Sequence, residues 1–233
     1  MQKSVTSIFG GDDYDLGNNA GIDELESERQ TVMALYVDSS YSMEPYTPVM
    51  PDCIQEVKNA IIHSKSEDEF LISLTKFNHK VERAGYQMVD KIKTDYTPSG
   101  GTALYDAIVG AQQSLVARAN EKEGYIDMLK KNAITVKGIF IILTDGRDEH
   151  SYLGSKEAKS AVEYMKSHEI ITACIGFGAN AQKIGQELGF EHVLDVKEAN
   201  EKTLRQIFAI VSKSLILASK SAVNPSAGTF FQV

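Results

Sequence analysis

The sequence predicts an α/β protein built on a doubly wound, mostly parallel six-stranded sheet in the order 3-2-1-4-5-6, with helices on both faces and edge strand 3 antiparallel. Two observations carry this. Short runs that are apolar at successive positions, such as Thr31–Val37 and Gly138–Thr144, read as strands covered on both faces. Between the strands lie segments whose apolar residues recur every three or four positions, so strand and helix alternate along the chain.

Thr31–Val37 is the first strand, and it ends at Asp38. From about Tyr46 to Ser64, the positions of Val49, Cys53, Val57, Ile61 and Ile62 trace one helix face, with Pro48 and Pro51 near its start. Phe70–Phe77 is the second strand and Lys80–Val89 a short third element. The connection through Asn78-His79 is tight enough for a hairpin, which places the third strand antiparallel at the sheet edge. After the loop Thr97–Thr102, Leu104, Ile108, Ala111, Leu115 and Val116 mark a second helix face, followed by a polar helical stretch to Leu129. Gly138–Thr144 is the fourth strand. A helix near 155–167, a strand at 170–177, a short helix at 182–188, a short strand at 192–195 and a long helix from about 201 to 219 complete a Rossmann-like alternation.

The chain has 233 residues, enough for one well-cored domain with extensions, and its 42% hydrophobic and 24% charged content is that of an ordinary globular protein. The net charge of -8 is uneven, because residues 1–30 hold seven acids against Lys3 and Arg29. With little periodicity, 1–30 reads as an acidic N-terminal arm ahead of a domain at 31–219. Residues 220–233, rich in Ser, Ala and Gly, read as a flexible C-terminal tail with an apolar tip at Phe230-Phe231. No basic stripe is present to neutralise phosphates, which argues against nucleic acid or an anionic membrane as partner. The first residues lack the apolar core of a signal peptide, and no run approaches the roughly 18 apolar residues of a spanning helix, so a cytoplasmic location is expected. Cys53 and Cys174 are expected as buried, reduced thiols. The histidines offer no paired spacing for zinc.

Three loops gather oxygen-bearing side chains for which a core has no use: Asp38-Ser39-Ser40-Tyr41-Ser42, Ser99-Gly100-Gly101-Thr102-Ala103-Leu104 and Thr144-Asp145-Gly146. In the order 3-2-1-4-5-6, strands one and four flank the reversal point where a crevice opens, so Asp38 and Asp145 meet there. Singly, Ser40, Ser42 and Thr102 read as helix caps and Asp145 as a turn residue. Five such residues on three converging loops are better explained by a shared site.

Together these fragments resemble the metal ion-dependent adhesion site of the von Willebrand factor A (VWA) domain family, over roughly residues 31 to 218. The chain looks most similar to compact, stand-alone bacterial members of the tellurite-resistance type. The resemblance implies that Ser40, Ser42 and Thr102 touch a Mg²⁺ ion directly, with Mn²⁺ or Ca²⁺ as alternatives, while Asp38 and Asp145 act mostly through bound waters. Neutral hydroxyls leave much of the ion's charge uncompensated and one octahedral position free for an anionic oxygen. It follows that the expected partner is a protein presenting an Asp or Glu carboxylate, in a cytoplasmic bacterial multiprotein system, and that the chain is not an enzyme. Asp106, one turn after Thr102, is read either as support for the site's loops or as a charge complementing the helix N-terminus. Arg147, Asp148, Glu149, His150 and Tyr152 form the loop expected to rim the metal. Two other functions stay open. One is a metal-dependent phosphoesterase or hydrolase, against which stands the lack of a nucleophile with a matched base or of a phosphate loop. The other is a self-assembling structural protein in which Asp23 or Glu24 of the arm reaches a neighbour's metal. The sequence sets no oligomeric state.

Overall fold

The computed structural model describes residues 19–64, 68–119, 121–178, 181–196, 200–221 and 230–231. Six strands, β1 (Arg29–Asp38), β2 (Glu69–Phe77), β3 (Gln87–Met88), β4 (Thr135–Thr144), β5 (Ile171–Phe177) and β6 (His192–Val196), form one sheet in the order β3-β2-β1-β4-β5-β6. Every neighbouring pair is parallel except β2 and β3. This is the topology expected from the sequence.

The alternation of side chains along β1 explains the two layers of helix. Met33, Leu35 and Val37 join a core with residues of α1 (Met50–Ile62) and α6 (Glu201–Lys220). Val32, Ala34 and Tyr36 point the other way, into a core shared with α2 (Leu104–Leu115), α3 (Tyr125–Lys131) and α4 (Ser155–Ser167). All six are at most 3% exposed, so β1 has no polar face. A short helix, α5 (Ala181–Glu187), connects β5 to β6.

Several elements differ from expectation. The helix expected from Tyr46 begins as a 3₁₀ turn over Tyr41–Tyr46 containing Pro45, and α1 starts only at Met50, with Pro51 in its first turn where a missing N–H is tolerated. Lys80–Val89 is not a continuous strand. It pairs with β2 only through the bridge Phe77–Val81 and the two residues of β3. In between, Ser73 Oγ donates to the Ala84 carbonyl at 2.8 Å and the Ala84 amide donates to Thr75 Oγ1 at 3.1 Å, so side chains of β2 replace the ladder. The polar helical stretch to Leu129 is broken as well. Val116 is extended, Gln112 Nε2 donates to its carbonyl, and the Asp127 carboxylate accepts the amide of Ala117, so side chains satisfy the backbone between α2 and α3.

Residues 19–28, expected within the arm, are bound to the domain. The Ala20 amide donates to the Tyr86 carbonyl (2.7 Å), and the Ala20 carbonyl accepts the Tyr125 hydroxyl (2.9 Å). The rings of Tyr86 and Tyr125 stack at 4.7 Å. The rest of the acidic arm, residues 1–18, lies outside the described residues, as do 222–229 and 232–233 of the tail. Phe230, at the tail's apolar tip, is buried against the His192 ring and its amide donates to His192 Nδ1 at 3.3 Å. Both cysteines are buried and unbonded, and burial pushes each thiol up to about 12. Among the described residues no helix is long and apolar enough to cross a membrane.

Candidate metal centre

The candidate site lies at the carboxyl ends of β1 and β4, the central strands of the sheet. Asp38 ends β1 and is fully buried. Its Oδ1 accepts the Ser40 amide at 2.9 Å, and its Oδ2 accepts the hydroxyl of Thr144, the last residue of β4, at 2.8 Å. The aspartate therefore ties the two strands together at the point where the sheet order reverses. Tyr96 donates its hydroxyl to the Asp38 carbonyl at 2.5 Å.

Ser40 occupies the N-cap position of the 3₁₀ turn, yet its hydroxyl makes no capping bond. Instead Ser40 Oγ and Ser42 Oγ are hydrogen-bonded to each other at 3.0 Å. Thr102 is likewise not the cap of α2, which is Ala103, and its hydroxyl makes no hydrogen bond to a described residue. The capping reading thus fails for Ser40 and Thr102. Asp145 does make the turn, accepting the Arg147 amide on Oδ1 at 3.2 Å.

The second loop is stitched to the first. The Ser99 amide donates to the Ser39 carbonyl (2.7 Å), the Tyr41 amide to the Gly100 carbonyl (2.9 Å) and the Ala103 amide to the Asn78 carbonyl (2.6 Å). Its two glycines sit against imidazole rings, and Gly100 also has a left-handed backbone. Gly100 has φ +66°, and a Cβ there would lie 2.2 Å from His79 Nδ1, while a Cβ on Gly101 would lie 2.2 Å from the His150 ring. The loop passes between two imidazoles whose centroids are 6.5 Å apart.

The third loop is held by the second. The Thr102 carbonyl accepts the amides of both Glu149 and His150 at 2.9 Å. The Asp106 carboxylate accepts the amides of Tyr152 and Leu153 at 3.0 Å each, and Ser151 Oγ accepts the amides of Tyr105 and Asp106. Of the two readings of Asp106, support for the site's loops is the one realised. Ser151 was not singled out in the sequence, since a hydroxyl in a polar loop carries no signal until its partners on α2 are known.

Ser40, Ser42 and Thr102 line one hollow of about 460 Å³, floored by Gly100 and Gly101 and rimmed by Tyr41, Arg147, Glu149 and His150. Asp38 and Asp145 stand outside its lining. Burial pushes Asp38 up to about 6, the Asp145 charge adds to the rise, and hydrogen bonds from Ser40 and Thr144 oppose it. A nearby cation would favour the charged form of this carboxylate.

The donor set fits a small hard cation. Adjacent oxygens in an octahedron with bonds of about 2.0 to 2.1 Å are roughly 2.9 Å apart, close to the separation of the two serine hydroxyls. The third hydroxyl belongs to Thr102, which lines the same hollow, and every donor is an oxygen. Among the described residues no group of three or more His, Cys, Asp or Glu side chains is placed to hold a metal.

No family model matches the chain, and no curated protein matches it. Solved structures do. The pilus adhesin SpaC from Lactobacillus rhamnosus GG is 11% identical with a TM-score of 0.60, over 82% of this chain and 30% of that one. Proximal thread matrix protein 1 of the mussel byssus is 14% identical with a TM-score of 0.56, over 82% and 46%. A von Willebrand factor type A protein from Catenulispora acidiphila is 18% identical with a TM-score of 0.51, over 81% and 43%. The chain spans less than half the length of each of these proteins. At such identities the likeness shows the fold, which is the α/β fold of VWA domains.

Proposed function

We propose that the chain is a metal-dependent protein-binding module that captures an Asp or Glu of a partner protein at a Mg²⁺ held by Ser40, Ser42 and Thr102, with Asp38 and Asp145 acting through waters. The observation that carries this reading is the pair of serine hydroxyls turned toward each other at 3.0 Å while both oxygens of Asp38 are already engaged by Ser40 and Thr144. A divalent cation bound by neutral hydroxyls supplies a positive centre open to an anionic oxygen. Arg147 on the rim favours the approach of an acid. The role is one of binding, not catalysis. The setting we propose, carried by the motif resemblance, is a cytoplasmic bacterial multiprotein system of the tellurite-resistance type.

The test is affinity capture from cell extract in Mg²⁺ and in EDTA, with the double variant Asp38→Ala, Ser40→Ala as control, followed by titration of the purified partner. Capture is expected in Mg²⁺ alone and from the unaltered protein alone. A partner held with full affinity by the double variant in EDTA would defeat the proposal.

A further inference from the structure

We infer that Phe230 and Phe231 form a latch governed by His192: the aromatic pair is docked on the core while the imidazole is neutral, and it is released when the ring takes up a proton. His192 begins β6, at the amino end of the strands and so at the far end of the sheet from the metal loops. Its side chain is fully buried, and Phe230, itself 2% exposed, meets it in two ways. The two rings lie 5.4 Å apart, and the Phe230 amide donates to Nδ1 at 3.3 Å. Phe230 belongs to the core that α1 and α6 share, and the half-buried Phe231 ring packs edge-on against it.

The hydrogen bond requires the neutral ring. Nδ1 accepts an amide only when the imidazole proton sits on Nε2, and a second proton turns Nδ1 into a donor facing another donor. The Phe230 amide is then left buried without its acceptor, which favours undocking. The surroundings point the same way. Burial, with a smaller push from Lys166 at the end of α4, lowers the docked ring from 6.5 to about 4. On the remaining sides the ring meets little charge. Ala173 of β5 is its register partner, the α6 residues of this core are apolar, and residues 222–233 carry no ionisable side chain. Glu191, whose Oε2 lies 3.8 Å from Nε2, is placed to hold the charged ring once the tip has left. Because docking favours the neutral form, its contribution is complete above about pH 6.5 and is lost as pH falls toward 4. These two values make docking about 30-fold weaker at pH 5 than at pH 7.5.

The chain has no tryptophan, so Phe231→Trp in the full chain gives a single fluorescent reporter on the latch. All measurements are made in EDTA, which keeps them independent of the metal site. Emission is expected to be that of a shielded indole at pH 7.5 and to shift to the red with a midpoint between pH 6.5 and 4, while the far-ultraviolet circular dichroism stays constant. His192→Asn in the same background offers Oδ1 as acceptor in place of Nδ1 but does not titrate, so its emission is expected to stay shielded throughout. Phe230→Ala is expected to shift the emission to the red already at pH 7.5. Hydrogen exchange needs no substitution: protection of the Phe230 amide in the unaltered chain, corrected for the intrinsic rate, should fall by about 30-fold from pH 7.5 to pH 5. The inference is overturned if the reporter is exposed at pH 7.5, if it stays shielded at pH 4, or if helix content is lost together with the shift. It is also overturned if His192→Asn shifts as the unaltered ring does, if Phe230→Ala leaves the reporter shielded, or if the Phe230 amide is equally protected at both pH values.

Discussion

Replacing Asp38 by Asn separates what the buried carboxylate does for the site from what it costs the fold. Asp38 is enclosed, and burial raises it from 3.8 to about 6. A folded value above the unfolded one means that the native state holds the proton more tightly. The metal-free protein is therefore favoured by this group below about pH 4 and loses that contribution as pH rises through about 6. With roughly 1.36 kcal/mol for each pH unit between the two values, the loss is ~3 kcal/mol at pH 7.5 and ~1 kcal/mol at pH 4.5. Asparagine keeps the shape: its oxygen still accepts the Ser40 amide, and its NH₂ donates to the Thr144 hydroxyl once that rotates. In EDTA at pH 7.5 the Asp38→Asn variant is thus expected to be more stable than the unaltered chain, by up to ~3 kcal/mol, with the gain shrinking to ~1 kcal/mol at pH 4.5. In Mg²⁺ only the unaltered chain should gain stability. Urea denaturation at the two pH values, in EDTA and in Mg²⁺, reads all of this. His192 titrates in the same window with the opposite slope, because burial lowers it from 6.5 to about 4 and its contribution is lost as pH falls. It is common to both proteins and cancels in the difference. A variant less stable than the unaltered chain in EDTA at pH 7.5, or a gain of equal size at both pH values, would refute the reasoning.

Thr102→Val removes a hydroxyl that bonds no described residue, so metal-free stability should change by less than ~1 kcal/mol while stabilisation by Mg²⁺ disappears; calorimetric titration with Mg²⁺ and thermal melts check both. Gly100→Ala places a Cβ against His79 at φ +66° and should cost ~1–3 kcal/mol, part of which His79→Ala restores; additive losses in the double variant would show that the imidazole is not the obstacle. Asp106→Ala leaves the amides of Tyr152 and Leu153 without acceptors, at ~1–3 kcal/mol, and should speed hydrogen exchange at those two amides; unchanged protection there would remove Asp106 from its supporting role.

What was legible in the sequence was whatever periodicity or motif encodes. The unbroken apolar stretches of β1 and β4 fixed their place at the centre of a parallel sheet, and the position of Asp38 and Asp145 at their ends followed from that. What stayed hidden was carried by contacts between distant residues. The replacement of a ladder by Ser73 and Thr75 has no periodic trace, and a carboxylate in the first turn of α2 looks the same whether it complements the helix or, as Asp106 does, holds amides 46 and 47 residues away. The two glycines were visible in the motif, but the reason for them was not. It lies in the left-handed backbone of Gly100 and in the rings of His79 and His150, which occupy the space a Cβ would need.

Thr102 presents its hydroxyl to the hollow and its carbonyl to the amides of Glu149 and His150. One short residue is thus a hinge pin shared by the floor and the rim. Any change in the position of its carbonyl would therefore reach both amides of the outer loop. The outer loop and the hollow therefore share one fixed point, and a substitution that displaces Glu149 or His150 bears on Thr102 as well.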